Sequence, residues 1–133
     1  MAVFDANLLV ALAVKAPWSA KARELLIQDP KPIAPAFLQI ELANALWRNV
    51  REGAISPVDA IHAVRAIPAL LHLEADAPLA EPALQIAIAA KHPVYDCLYL
   101  ALAEREGGPL VTADRRLSHI ATARGVEATL VID

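Results

Sequence analysis

Four acidic side chains carry the chemical signal of this chain: Asp5 in VFDAN, Glu41 in LQIELANAL, Asp96 in VYDCLYLALAE and Asp114 in LVTADRRL. Two unit charges ~4 Å apart repel by about 4 kcal/mol at an effective dielectric of 20. Carboxylates gathered at one point must therefore take up protons or bind a cation. Hard oxygen donors of this kind suit Mg²⁺ or Mn²⁺, whereas zinc normally recruits His and Cys. A divalent metal held by carboxylates points to phosphodiester chemistry.

The four acids meet only if the chain folds to bring them together. AVFD is a short apolar run that ends in an acid and passes straight into ANLLVALAV, the pattern of a strand feeding a helix. A second helix is expected over 18–28, closed by Asp29-Pro30-Lys31-Pro32, then a short strand over 32–35 and a long helix from Ala36 to Glu52, stopped by Gly53. Ser56-Pro57 is an N-cap and first-turn pair for a helix reaching about Leu71, interrupted at Pro68. A strand over 71–73 and helices over 78–91 and 94–106 follow, the last ended by Gly107-Gly108. Residues 109–112 read as a strand, 114–124 as a helix ended by Gly125, and 129–132 as a final strand. Apolar strands alternating with helices predict an α/β fold, a central parallel sheet covered on both faces. In open sheets of this kind, sites form beyond the carboxyl ends of the strands, where Asp5 and Asp114 both fall. Asp96 lies in the first turn of its helix, where the macrodipole favours a carboxylate.

Composition fits this frame. The 133 residues suit a single domain over 1–133, and a hydrophobic fraction of 57% with 20% charged residues excludes disorder. Mean hydropathy is +0.43, yet no apolar run approaches the ~20 residues that span a bilayer. Leu8 to Val14 also fails as a signal peptide, since no basic residue precedes it and Asp5 does. One cysteine, Cys97, leaves no disulfide framework and no zinc spacing, as expected of a cytoplasmic protein. A net charge of -3 argues against a generic nucleic-acid-binding surface. It is compatible with a nuclease whose acidic centre is offset by local arginines and metal.

Each acid also has a purely structural role open to it. Asp5 and Asp114 could cap the helices that follow them, and Asp96 could be a first-turn helix acid. Glu41 shares a helical stripe with Asn44, Arg48 and Arg51, opposite Leu38, Leu42, Leu46 and Val50, and that stripe could simply face water. The four together, in this order among these elements, favour the functional reading.

VFDANLLVALAV, APAFLQIELANAL, PVYDCLYLALAE and LVTADRRL resemble the four signature segments of PIN-domain ribonucleases. In its small size the chain resembles the VapC toxins of toxin-antitoxin pairs. The resemblance runs from Val3 to about Ile132, and its most specific piece is YDCLYLALAE followed by VTAD. It implies a three-layer α/β/α PIN-like fold. It assigns Asp5, Glu41, Asp96 and Asp114 to an acidic centre binding Mg²⁺ or Mn²⁺, and gives Asn7 and Thr112 supporting positions around those carboxylates. The implied activity is endoribonuclease cleavage by activated water. The implied partners are an RNA substrate, a VapB-type antitoxin whose tail blocks the acidic site, and a second copy of the chain. Apolar residues around much of the circumference of VDAIHAVRAIPALL also suggest a homodimer or a partner.

The chain departs from the pattern at Pro93, which stands where many relatives have a hydroxyl residue capping the helix of the YD motif. Proline supplies no capping oxygen, so His92 is expected to cap or to lie in an exposed loop; His62, His72 and His119 are read the same way. Arg48 and Arg115 are candidates for holding substrate phosphates, with Arg51 and Arg116 as readily explained by solubility. With few aromatics, no base-stacking platform is evident, so RNA shape and backbone path are expected to set specificity. Among rivals, a receiver-like domain lacks the lysine it would need after Lys91, and a DxD-type phosphatase is excluded by Asn7 in place of its second acid. The remaining alternative is a PIN-like module that binds RNA or a partner without catalysis.

Overall fold

The computed structural model describes residues 1–132. Five strands, β1 (Val3–Phe4), β2 (Ile33–Pro35), β3 (His72–Glu74), β4 (Leu110–Thr112) and β5 (Ala128–Leu130), form one sheet in the order β3-β2-β1-β4-β5. Every neighbouring pair is parallel. Parallel strands buried on both faces need continuous apolar runs. Val3, Phe4, Ile33, Ala34, Leu110 and Val111 supply them, all buried.

The helices are α1 (Ala6–Leu9), α2 (Ser19–Gln28), α3 (Leu38–Arg51), α4 (Pro57–Ala66), α5 (Ala80–Ala90), α6 (Val94–Glu106) and α7 (Arg115–Ala123). With the central parallel sheet they make the three-layer α/β/α arrangement. Helix α6 packs on β1, β2 and β4 with α5 against it, while α1 to α4 make the β1-β2-β3 connections. Every residue from Cys97 to Ala103 is buried, which is why α6 has no single apolar face.

Local chemistry sets the boundaries. Ser56 caps α4 by accepting the Asp59 N–H at 3.1 Å, with Pro57 at the first helical position. Gly107 ends α6 with φ of 70°, a left-handed conformation that suits glycine. Where an uninterrupted helix was expected over 6–14, α1 gives way after Leu9 to a 3₁₀ turn over Val10–Leu12. Pro68 opens a second 3₁₀ turn rather than lying within a helix. Strand β3 begins one residue later than expected and β5 one residue earlier, ending at Leu130. Among the described residues, no helix is long and apolar enough to cross a membrane.

The strand order fixes where a site can form. The chain runs outward from β1 through β2 to β3, then returns to the other side of β1 to lay down β4 and β5. The crevice between the carboxyl ends of β1 and β4 is thus the topological switch point.

Candidate metal centre and active site

Asp5 follows β1 at that crevice, and Asp114 follows β4. Phe4 is in register with Val111, and the Asp5 N–H donates to Val111 O at 3.0 Å. This brings Asp5 beside Thr112, whose hydroxyl donates to Asp5 Oδ2 at 2.6 Å. Both side chains are buried. Asp5 occupies the N-cap position of α1 without a full capping hydrogen bond, although the Asn7 N–H favours its charged carboxylate, and its stronger contact is with Thr112. Thr112 Oγ1 also accepts the Asp114 N–H at 3.0 Å, tying the two acids to one hydroxyl. Asp114 does cap α7, its Oδ1 accepting the N–H groups of Arg116 at 2.8 Å and Leu117 at 3.2 Å.

Glu41 and Asp96 arrive from α3 and α6. The start of α3 is fixed by Asp76, whose Oδ1 accepts the Phe37 N–H at 3.0 Å. Phe37 stacks on Tyr95 with centroids 5.2 Å apart, joining the α3 entry to the residue beside Asp96. Tyr99, fully buried on α6, donates its hydroxyl to Glu41 Oε1 at 2.6 Å. Asp96 Oδ2 lies 2.7 Å from His92 Nε2.

One regularity runs through the four acids. Each commits one oxygen to a positioning hydrogen bond: Oδ2 of Asp5, Oε1 of Glu41, Oδ2 of Asp96 and Oδ1 of Asp114. The other oxygen of Glu41, Asp96 and Asp114 makes no hydrogen bond among the described residues, while the Asp5 carboxylate is also favoured by the Asn7 N–H. Burial pushes Asp5 up to about 6, with the charges of Asp96 and Asp114 adding and the Thr112 hydroxyl opposing. Burial likewise pushes Glu41 up to about 7, against the Tyr99 hydroxyl and with Asp5 and Asp96 adding. The acids therefore lie in one another's field, and the cluster resists full ionisation until a cation joins it. All-oxygen carboxylate donors at a buried sheet edge are the chemistry that Mg²⁺ or Mn²⁺ takes.

Two residues at the site escaped sequence reasoning. Tyr99 was counted only among the aromatics, although its spacing of three from Asp96 puts both on one face of α6. His92 was expected to cap α6 or to lie in an exposed loop. The structure corrects this: Pro93 holds the N-cap position without any side-chain cap, and His92 is buried with its ring turned onto Asp96. A left-handed Lys91, φ 53°, makes the turn that carries the ring inward, a conformation uncommon outside glycine. Ligand atoms of His92, Asp96 and Asp114 lie within 4.8 Å of one another.

The supporting positions divide. Thr112 is bonded as described, whereas Asn7 is exposed and its side chain makes no hydrogen bond among the described residues. Arg48 and Arg115 are exposed. Arg51 lies over the Trp47 ring at 4.8 Å, and Arg116 donates to Lys91 O at 2.8 Å, so both have structural contacts. Cys97 is buried, and burial pushes its thiol up to about 11, which leaves it inert as a nucleophile at neutral pH.

The family model described as PIN domain matches residues 2–123. Ribonuclease VapC3 of Pyrobaculum aerophilum is 30% identical over 119 residues, covering 87% of this chain and 91% of the relative. Exonuclease VapC9 of the same organism is 34% identical over 131 residues, covering 96% of this chain and 91% of the relative. Among solved structures, PAE2754 from Pyrobaculum aerophilum aligns with a TM-score of 0.75 at 27% identity, over 96% of this chain and 82% of that one. Mycobacterium tuberculosis VapC20, described as a sarcin-ricin loop cleaving toxin, shares the fold with a TM-score of 0.70 at 16% identity, over 90% and 94% of the two chains. With a family pattern spanning residues 2–123 and a VapC relative aligned over most of both chains, the chain belongs to the PIN-domain family, in its VapC-type branch.

Proposed function

We propose that this protein is a Mg²⁺- or Mn²⁺-dependent endoribonuclease toxin that cleaves RNA phosphodiester bonds with water as nucleophile and is neutralised by a VapB-type antitoxin. The observation that carries this reading is the set of four carboxylates, each held by a positioning hydrogen bond, at the switch point of the sheet. The names of the two curated relatives, a ribonuclease and an exonuclease, support nuclease activity.

In this reading Asp5, Glu41, Asp96 and Asp114 hold the cation. When bound, it acidifies water and offsets charge building on the phosphate oxygens. The protein's own part is positional. Thr112 fixes Asp5, Tyr99 fixes Glu41, and the α7 amides fix Asp114, so the free oxygens need no reorganisation as the cation enters. Arg48 and Arg115, exposed and without ion-pair partners among the described residues, are suited to binding RNA phosphates.

Partner surfaces accompany the site. Ile40 and Trp47 on α3 and Leu84 and Ile88 on α5 are exposed apolar side chains, suited to a homodimer. A groove lined by Leu12, Ile27, Ile55 and Leu70, with Arg23 among its lining residues, suits apolar anchors of an antitoxin segment.

The test is incubation of purified, antitoxin-free protein and its Asp96→Asn variant with total RNA and with a circular RNA, in Mg²⁺ or Mn²⁺ and then in EDTA. Discrete cuts by the wild type alone, abolished by EDTA, are expected. Opening of the circle separates endonuclease from exonuclease action. Cation binding without any cleavage would identify a non-catalytic module, and absence of both would overturn the metal-centre reading.

A further inference from the structure

We propose that His92 is a direct nitrogen ligand of the bound cation, which makes this centre a mixed nitrogen and oxygen site that favours Mn²⁺ over Mg²⁺. The inference rests on the carboxylate centre proposed above and goes beyond its four acids.

Three observations meet at the ring. Its Nε2 faces the cluster, 2.7 Å from Asp96 Oδ2, and one donor atom each from His92, Asp96 and Asp114 falls within 4.8 Å of the others. The residue is buried, 9% exposed, and its Nδ1 has no hydrogen-bond partner. The backbone is built to bring it there: Lys91 adopts φ 53°, Arg116 from α7 holds the Lys91 carbonyl at 2.8 Å, and Pro93 takes the N-cap position of α6.

Asp96 is the ring's single hydrogen-bond partner among the described residues, so one contact is all that Nε2 exchanges for the cation. A nitrogen donor discriminates between the two cations, because Mg²⁺ takes hard oxygen ligands and dehydrates reluctantly, whereas Mn²⁺ belongs to the transition series and accepts imidazole more readily than Mg²⁺ does. His62, His72 and His119, on α4, β3 and α7, are exposed and lie outside the cluster.

The experiment is pulsed electron paramagnetic resonance of Mn²⁺ bound to the full chain, prepared with ordinary and with ¹⁵N-labelled histidine, alongside titration of Mn²⁺ and Mg²⁺. The expected result is electron-spin-echo modulation from a directly bound ¹⁴N, replaced by the ¹⁵N pattern on labelling and absent in His92→Gln. The Gln amide can still donate to Asp96, so this variant keeps the positioning contact and removes the ligand. Mn²⁺ affinity should fall in it by at least the ~10-fold that loss of an outer partner costs, with Mg²⁺ affinity changed much less. Bound Mn²⁺ without nitrogen modulation in the wild type would overturn the His92 assignment alone. So would modulation that survives His92→Gln. Failure of Mn²⁺ to bind, or binding indifferent to Asp5→Asn, would overturn the carboxylate centre and this inference together.

Discussion

Thr112 and Asp5 are linked across the centre of the sheet by a 2.6 Å hydrogen bond between residues 107 positions apart in the chain. The same hydroxyl accepts the Asp114 N–H, so its loss frees the Asp5 carboxylate and the backbone of Asp114, while the Asp114 carboxylate stays on the α7 amides. Thr112→Val, near-isosteric, is expected to destabilise the fold by about 1–3 kcal/mol because a buried acceptor and a buried N–H lose their partner. RNA cleavage should fall more than stability does, and Thr112→Ser should restore both. Denaturant unfolding set beside cleavage rates checks the split.

Tyr99→Phe removes the hydroxyl that holds Glu41 and opposes the rise of its pKa. Glu41 then protonates more readily, and cation affinity at neutral pH should drop by about 10–100-fold, the range for losing an outer partner of a metal ligand. Calorimetric titration reads this directly. An unchanged affinity would show that Glu41 needs no help from α6.

Asp114 has two jobs that substitution can separate. Asparagine can still accept the α7 amides, so Asp114→Asn should keep stability within a few tenths of a kcal/mol while abolishing cleavage. Asp114→Ala should abolish cleavage and also cost about 1 kcal/mol through the lost cap. Thermal melts of the two variants should therefore differ while their activities do not.

The buried acids set a pH dependence of the cation-free protein. Asp5 is raised from 3.8 to about 6 and Glu41 from 4.5 to about 7. The folded state therefore binds more protons than the unfolded chain between these values, and stability falls as pH rises through that window. For Asp5 the loss amounts to roughly 3 kcal/mol, from a shift of about two units at 1.36 kcal/mol each. Melting in EDTA should drop from about pH 4 to about pH 7, and saturating Mn²⁺ should recover the loss on the alkaline side. A melting temperature that instead rises through this range would contradict the burial of these two carboxylates as neutral acids.

Gly108 abuts the start of β1: a Cβ there would overlap the Met1 carbonyl oxygen. Met1 cannot simply withdraw, because its amino group pairs with Asp29 at 3.2 Å and the Ala2 N–H donates to the same carboxylate at 2.7 Å. Gly108→Ala should cost about 1–3 kcal/mol as an overpacking change. It should also lower activity by shifting the strand that carries Asp5. Unfolding and cleavage assays on this single variant check both effects.

Much of this was legible in the chain. Helix α6 ran over 94–106 as its pattern and Gly107 required, Ser56-Pro57 opened α4, and the strand-to-helix junctions placed Asp5 and Asp114 on one edge. What escaped was decided by tertiary contact. Asp5 and Asp114 have the same local signature, yet one caps its helix and the other does not, because register with β4 gives Asp5 a threonine hydroxyl instead. The 3₁₀ turn after Leu9 leaves no mark in an unbroken apolar run. His92 reads as a loop residue beside Pro93, and only the left-handed Lys91 turns it inward.

The order β3-β2-β1-β4-β5 has a consequence for synthesis. The first of these strands made is the middle one, and the partner that completes its acidic edge is made only after β2 and β3. A nascent chain carries Asp5, Glu41 and Asp96 long before it has Thr112 to hold Asp5 or Asp114 to close the cluster. Because such a fold condenses as a unit, the acidic edge cannot close until β4 and the residues that follow it have been made.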